Sequence, residues 1–167
     1  LGFRKAFKIT NGNQTGGAGA ADFIKIQTRL EAQDIANSGW NYVSSSSNIT
    51  LSFWVKSSVA QNFYGYLETH DSPVYLYPFE TGSLSADTWT KVTKTIAGNS
   101  NLVFNNDTGE GLRIELHPFY GTDSTDSGVS LNTWAAYGAG TRTPDQTSTW
   151  YTTNDATFEI TGVQLEV

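Results

Sequence analysis

The chain is built of short alternating runs separated by turns. In 51–56, Leu51, Phe53 and Val55 share one face, while Ser52, Trp54 and Lys56 share the other. A period of two marks a strand with one face in a core. The run 112–117 alternates equally cleanly, with Leu112, Ile114 and Leu116 facing in and Arg113, Glu115 and His117 facing out. In the final run Phe158 and Ile160 have one parity, whereas Val163, Leu165 and Val167 have the other. One extra residue near Thr161-Gly162 restores a single inner face, so the pattern predicts a β-bulge there. Further strands are predicted at 3–10, 23–30, 62–69, 74–80 and 89–96, making about eight. A weak helical signal covers Ala32 to Asn37 and ends at Ser38-Gly39. Turn pairs such as Asn11-Gly12, Ser72-Pro73, Thr81-Gly82 and Thr108-Gly109 punctuate the strands. Many short strands with regular turns predict an all-β fold: a jelly-roll β-sandwich of about eight antiparallel strands in one domain, 1–167.

The stretches 100–106 and 120–155 are the least regular, and 44–47 and 123–130 are solvated loops in this reading. The second stretch is long for a loop in a compact domain. It carries Trp134, Tyr137, Trp150 and Tyr151, which either cap one end of the sandwich core or form a recognition surface.

Composition sharpens the strand assignment. Only 16% of the residues are charged, below the usual quarter or so, and 13% are aromatic. The 22 threonines suit strands better than helices. With no Cys, the chain has no disulfides, thiolate metal sites or cysteine nucleophiles. With no Met, Leu1 is not a natural start, which implies a piece cut from a longer chain. No apolar run approaches a membrane span. The net charge of −6 is uneven: residues 101–167 hold 9 acidic side chains and 2 basic ones. That excess argues against nucleic acid, which needs a basic surface.

Catalytic signals are sparse. The histidines are His70 and His117, and no Gly-x-Ser-x-Gly elbow occurs. Glu68, Glu80, Glu115 and Glu159 lie on predicted strands, but glycoside hydrolysis needs two carboxyls at a set separation. The segments 105–110 and 123–128 are oxygen-rich like calcium loops without the EF-hand spacing, so a structural calcium ion stays open beside an ordinary turn role. Sugar binding fits the residue types better. A pyranose presents an apolar face that stacks on aromatics and hydroxyls that pair with Arg, carboxylates and amides. Tyr64 and Tyr66 share a face of one strand, Tyr75 and Tyr77 share a face of the next, and Arg113, Glu115 and His117 share a face of another. If these rows adjoin on the outside of one sheet, they form a carbohydrate platform, and Trp134 from the long loop joins them. In the other reading of each tyrosine pair, that pair faces the core. Trp54 is exposed or covered by a loop or another subunit, while Trp89 starts a strand.

The segments 29–36 (Arg-Leu-Glu-Ala-Gln-Asp-Ile-Ala), 51–58 (Leu-Ser-Phe-Trp-Val-Lys-Ser-Ser), 87–98 and 157–167 (Thr-Phe-Glu-Ile-Thr-Gly-Val-Gln-Leu-Glu-Val) resemble, in that order, a domain of bacteriophage tail-fibre and virion structural proteins. That domain is similar to galactose-binding-like jelly-roll carbohydrate-binding modules. The resemblance implies a jelly-roll sandwich and a non-catalytic domain that binds host-surface or environmental polysaccharide. It also implies an extracellular virion location and a homo-oligomer in a fibre. Thr161 stands where many cellular modules carry an Asp near a structural calcium, so that ligand is missing here. Two other functions stay open. One is a structural or oligomerisation domain without a glycan ligand, and the other is a polysaccharide-degrading enzyme.

Overall fold

The structure, a computed structural model, describes residues 2–13 and 16–167, so Leu1 lies outside it. The alternation yields, among the described residues, β1 (Phe7–Thr10), β2 (Phe23–Glu31), α1 (Ala32–Ala36), β3 (Asn48–Ser57), β4 (Asn62–Thr69), β5 (Tyr75–Ser83) and β6 (Thr90–Ala97). It continues with β7 (Glu110–Tyr120), β8 (Ala135–Ala136), α2 (Thr149–Thr152) and β9 (Thr157–Glu166). Four strands form one sheet in the order β1-β9-β3-β6, and five form the other in the order β2-β7-β4-β5-β8. All the pairings are antiparallel. The chain changes sheet at most connections, which makes a β-sandwich wound as a jelly roll.

The core lies where the alternation puts it. Leu51, Phe53 and Val55 of β3 face Leu112, Ile114 and Leu116 of β7, and Phe63, Phe79, Trp150 and Phe158 fill the space around them. Each such side chain contributes about 2 kcal/mol through the apolar area it removes from water. The phase change in β9 is a bulge: Ser52 pairs with Gln164 but Trp54 with Thr161, so β9 carries one extra residue between. Gly162 sits there at φ 61°, a left-handed conformation that glycine adopts without a Cβ penalty.

The stretch 120–155 is more regular than its sequence implies. It contains β8 and α2, and Thr125 bridges Thr143 in a parallel pair. Its large aromatics divide the two roles between them. Trp150 is fully buried, and its Nε1 donates to the Thr157 carbonyl at 3.0 Å. Trp134 is half-buried and donates from Nε1 to the Ala97 carbonyl at 2.8 Å. Its indole therefore ties the loop beside β8 to the end of β6, across the gap between the sheets. Tyr151 stacks on Phe119, while Tyr137 stays exposed. Trp54 is half-buried on the outer face of the four-stranded sheet. Trp89 directly precedes β6, with Lys56 Nζ 5.2 Å from its ring.

Candidate functional site

Residues opposite each other in an antiparallel pair project to the same face. On β4 and β7 the opposed pairs are Tyr64 with His117, Tyr66 with Glu115, and Glu68 with Arg113. On β2, Gln27 opposes Glu115 and Arg29 opposes Arg113. On β5, Glu80 opposes Tyr64, Pro78 opposes Tyr66, and Leu76 opposes Glu68. The outer face of the five-stranded sheet thus gathers Tyr64, Tyr66, Arg113, Glu115 and His117, as the rows of the sequence anticipate.

Tyr75 and Tyr77 do not join them. Tyr77 is buried in the core, where burial raises its pKa, and Tyr75 packs partly against the same core. The four-tyrosine platform is therefore corrected: only Tyr64 and Tyr66 share the outer face, and Tyr66 is buried, which leaves Tyr64 as the accessible ring. The cause lies in β5, whose two faces are both apolar: Tyr75, Tyr77 and Phe79 on one, Leu76 and Pro78 on the other. Phe79 sets the phase, because its ring lies over Gly65 of β4, where an added Cβ would come within 2.6 Å of it. Trp134 lies away from this face, beside Tyr77 with ring centroids 5.3 Å apart.

A second correction concerns exposure. Glu115 and His117 point away from the intersheet core, yet both are fully buried. Tyr120 stacks on the His117 ring at 4.3 Å, and Tyr66 lies tilted against it at 5.0 Å. Gln146 donates to the His117 and Pro118 carbonyls, which pins the long loop beside β7.

At the centre Glu115 accepts three hydrogen bonds. Lys25 Nζ donates to Oε1 at 3.0 Å, and the Tyr66 hydroxyl and His117 Nε2 donate to Oε2 at 2.6 and 3.1 Å. Burial opposes its charge, but the bonds from His117, Tyr66 and Lys25 outweigh that and hold its pKa down at about 2. Burial lowers the His117 pKa against the pull of Glu115 and of the Tyr64 backbone, so the ring is neutral at pH 7 and donates from Nε2 to the carboxylate. Burial and the Glu115 bond both push the Tyr66 pKa up, so its hydroxyl keeps its proton.

Toward the rim, Arg113 grips Glu110 with two bonds, at 2.7 and 3.0 Å. Its Nη1 lies 3.5 Å from Glu68 and 3.6 Å from Glu115. His70 sits 3.3 Å from Glu110 and 3.6 Å from Glu68. Burial raises the Glu68 pKa, with His70 and Arg113 pulling the other way. Burial also opposes the charge of Glu110, but Arg113 and His70 prevail and lower its pKa. Arg29 reaches Glu110 at 3.5 Å with its own side chain 58% exposed. From the long loop, Arg142 donates to the hydroxyls of Tyr120, Ser124 and Tyr137.

Sequence reasoning missed Lys25, Arg29, Glu110 and Arg142. Lys25, Gln27 and Arg29 were detectable as the polar alternate positions of β2. Arg113 and Arg142 are the only two basic residues of the acidic region 101–167, and both come to this face. Among the described residues no cluster of three His, Asp or Glu side chains could hold a metal ion. In the two oxygen-rich loops, Asp107 and Asp126 accept the backbone N–H of Gly109 and Gly128, as turn formers do. No helix among the described residues is long and apolar enough to cross a membrane.

Comparison with known proteins found no matching family model, curated protein or solved structure.

Proposed function

We propose that the chain is a non-catalytic carbohydrate-binding domain whose site is the outer face of the five-stranded sheet. The observation that carries this reading is the buried Glu115 carboxylate with its three donors. It fixes Tyr66, Lys25 and His117, and through Arg113 the rim carboxylates, before any ligand arrives. The buried groups do not meet the ligand; they hold Lys25, Arg113 and the rim carboxylates in place, so little ordering remains to be done when sugar hydroxyls pair with that rim. Tyr64, half-buried, and Arg29 supply accessible contact area beside it. Two facts favour binding over hydrolysis. Glu115 is closed to solvent, and all of its donors are protein groups, whereas a glycosidase needs both carboxyls at the sugar. Placement in a phage virion rests on the resemblance of 29–36, 51–58, 87–98 and 157–167 alone.

The test is a glycan array probed with the intact chain, together with a reducing-end assay on every glycan retained. Retention without release of reducing ends supports the proposal. Retention by no glycan refutes binding, and release of reducing ends refutes the non-catalytic part.

A subunit-contact role is favoured by a separate observation. Phe3, Phe7, Val163 and Val167, in or beside β1 and β9, are 49 to 67% exposed, and such apolar surface marks contact sites when contiguous. Sedimentation as a stable trimer with no retained glycan would support that role instead.

A further inference from the structure

Arg142 differs from every other cation of this face. Lys25 is paired with Glu115, Arg29 and Arg113 with Glu110. Among the described residues no carboxylate stands within ion-pair distance of Arg142, whose partners are three hydroxyls. Tyr120 and Ser124 take Nη1 at 2.7 and 3.1 Å, and Tyr137 takes Nη2 at 2.8 Å. A guanidinium has five N–H groups, so Nε–H and a second Nη2–H remain. Those two nitrogens form the side edge that meets both oxygens of a carboxylate.

The group is held firmly. The Arg142 N–H donates to the Ser124 carbonyl, and the Asp126 N–H donates to the Thr143 carbonyl, on either side of the Thr125–Thr143 bridge. The rings of Tyr120 and Tyr137 lie 5.7 and 5.6 Å from the guanidinium carbon. Arg142 is itself half-buried, and Tyr137 is 40% exposed at its side. An open cation beside an open aromatic ring matches a pyranose that carries an acid group. The ring stacks on Tyr137, and the acid meets Arg142.

We infer that Arg142 and Tyr137 form a subsite for the carboxylate of an acidic sugar. The inference rests on the glycan-binding reading above and names the class of glycan.

The experiment measures affinity electrophoresis of the intact chain in gels containing polygalacturonate, alginate or polysialate, each beside its carboxyl-reduced form. The expected result is retardation by at least one acidic polymer, about tenfold weaker in the reduced form, the size of one charge-assisted pair. Arg142→Gln should abolish that difference. Arg142→Lys should restore only part of it, since a point charge cannot pair with both oxygens. Both variants are checked by thermal melting, and Tyr137→Leu at that exposed position, which removes the stacking ring and leaves the charge in place, should weaken binding and serves where either of them unfolds. Equal retardation by acidic and reduced forms overturns the inference but leaves glycan binding standing. Retardation by neither, here and on the array, overturns both. An acid preference that survives in folded Arg142→Gln overturns the assignment of Arg142.

Discussion

Replacing Glu115 by Gln tests the centre of the site and the stability of the fold together. The carboxylate accepts three hydrogen bonds in a position with no exposure. The amide keeps one acceptor oxygen and presents an NH₂ to groups that are themselves donors. Bonds to a buried charge contribute about 1.5–3 kcal/mol each, and at least one is lost while Lys25 stays partly buried and unpaired. The desolvation of the carboxylate is recovered, which limits the net loss to about 3 kcal/mol. For a chain of this size that is a fall of about 6–12 °C in Tm. The pH dependence follows from the same group. Its folded pKa is about 2 against an ordinary 4.5. The stability it contributes is therefore present above pH 4.5 and is lost as the pH falls through 2. Urea unfolding followed by circular dichroism at pH 7, 4.5 and 2.5 measures both effects. The variant should lie well below the parent at pH 7 and approach it at pH 2.5. A loss under about 1 kcal/mol at pH 7, or a gap that does not narrow in acid, would refute the reasoning.

Three further outcomes follow from the geometry. His117→Phe keeps the stack on Tyr120 and removes a group that burial holds neutral when folded. The unfolded chain then no longer gains a proton below pH 6.5 that the folded chain refuses. The parent's loss of stability between pH 7 and 5 should shrink in this variant, as chemical unfolding at the two pH values will show. Gly162→Val places a side chain at φ 61° where its Cβ would fall on the Phe3 ring. It should cost about 2 kcal/mol or more in urea unfolding, whereas Ser46→Ala in an exposed turn should stay within about 0.5 kcal/mol. Trp134→Phe removes the bond to Ala97 that spans the sheets and should cost about 1–2 kcal/mol, read from the same transition.

The fold is legible wherever one face of a strand is apolar and the other is not. β3 and β7 have that contrast, and even the bulge in β9 is visible as a change of parity. β5 lacks it, because Tyr75, Tyr77 and Phe79 alternate with Leu76 and Pro78. Its phase is decided by a contact with Gly65 across the sheet, which no local pattern contains. The polar row of β7 is legible as a row, but its burial is not. That burial arises from Lys25 and Tyr66, which reach Glu115 from other strands, and from Tyr120, which stacks on His117 from the end of β7. Arg142 leaves a trace in the sequence as one of two cations in an acidic region, but its meeting with Tyr120 depends on the folding back of a long loop. Strand β1 is shorter than predicted: pairing with β9 starts at Phe7, although the predicted strand spans 3–10, and Lys5 breaks the apolar parity between Phe3 and Phe7.

The central claim is that the outer face of the five-stranded sheet binds glycan, and a nuclear magnetic resonance titration tests it most directly. The isotope-labelled chain is titrated with the glycan most strongly retained on the array, and the amide shifts are mapped. The account predicts saturable shifts concentrated at Gln27, Arg29, Tyr64, Glu68, Glu110 and Arg142. Shifts confined to β1 and β9, or none at saturating glycan, would contradict it.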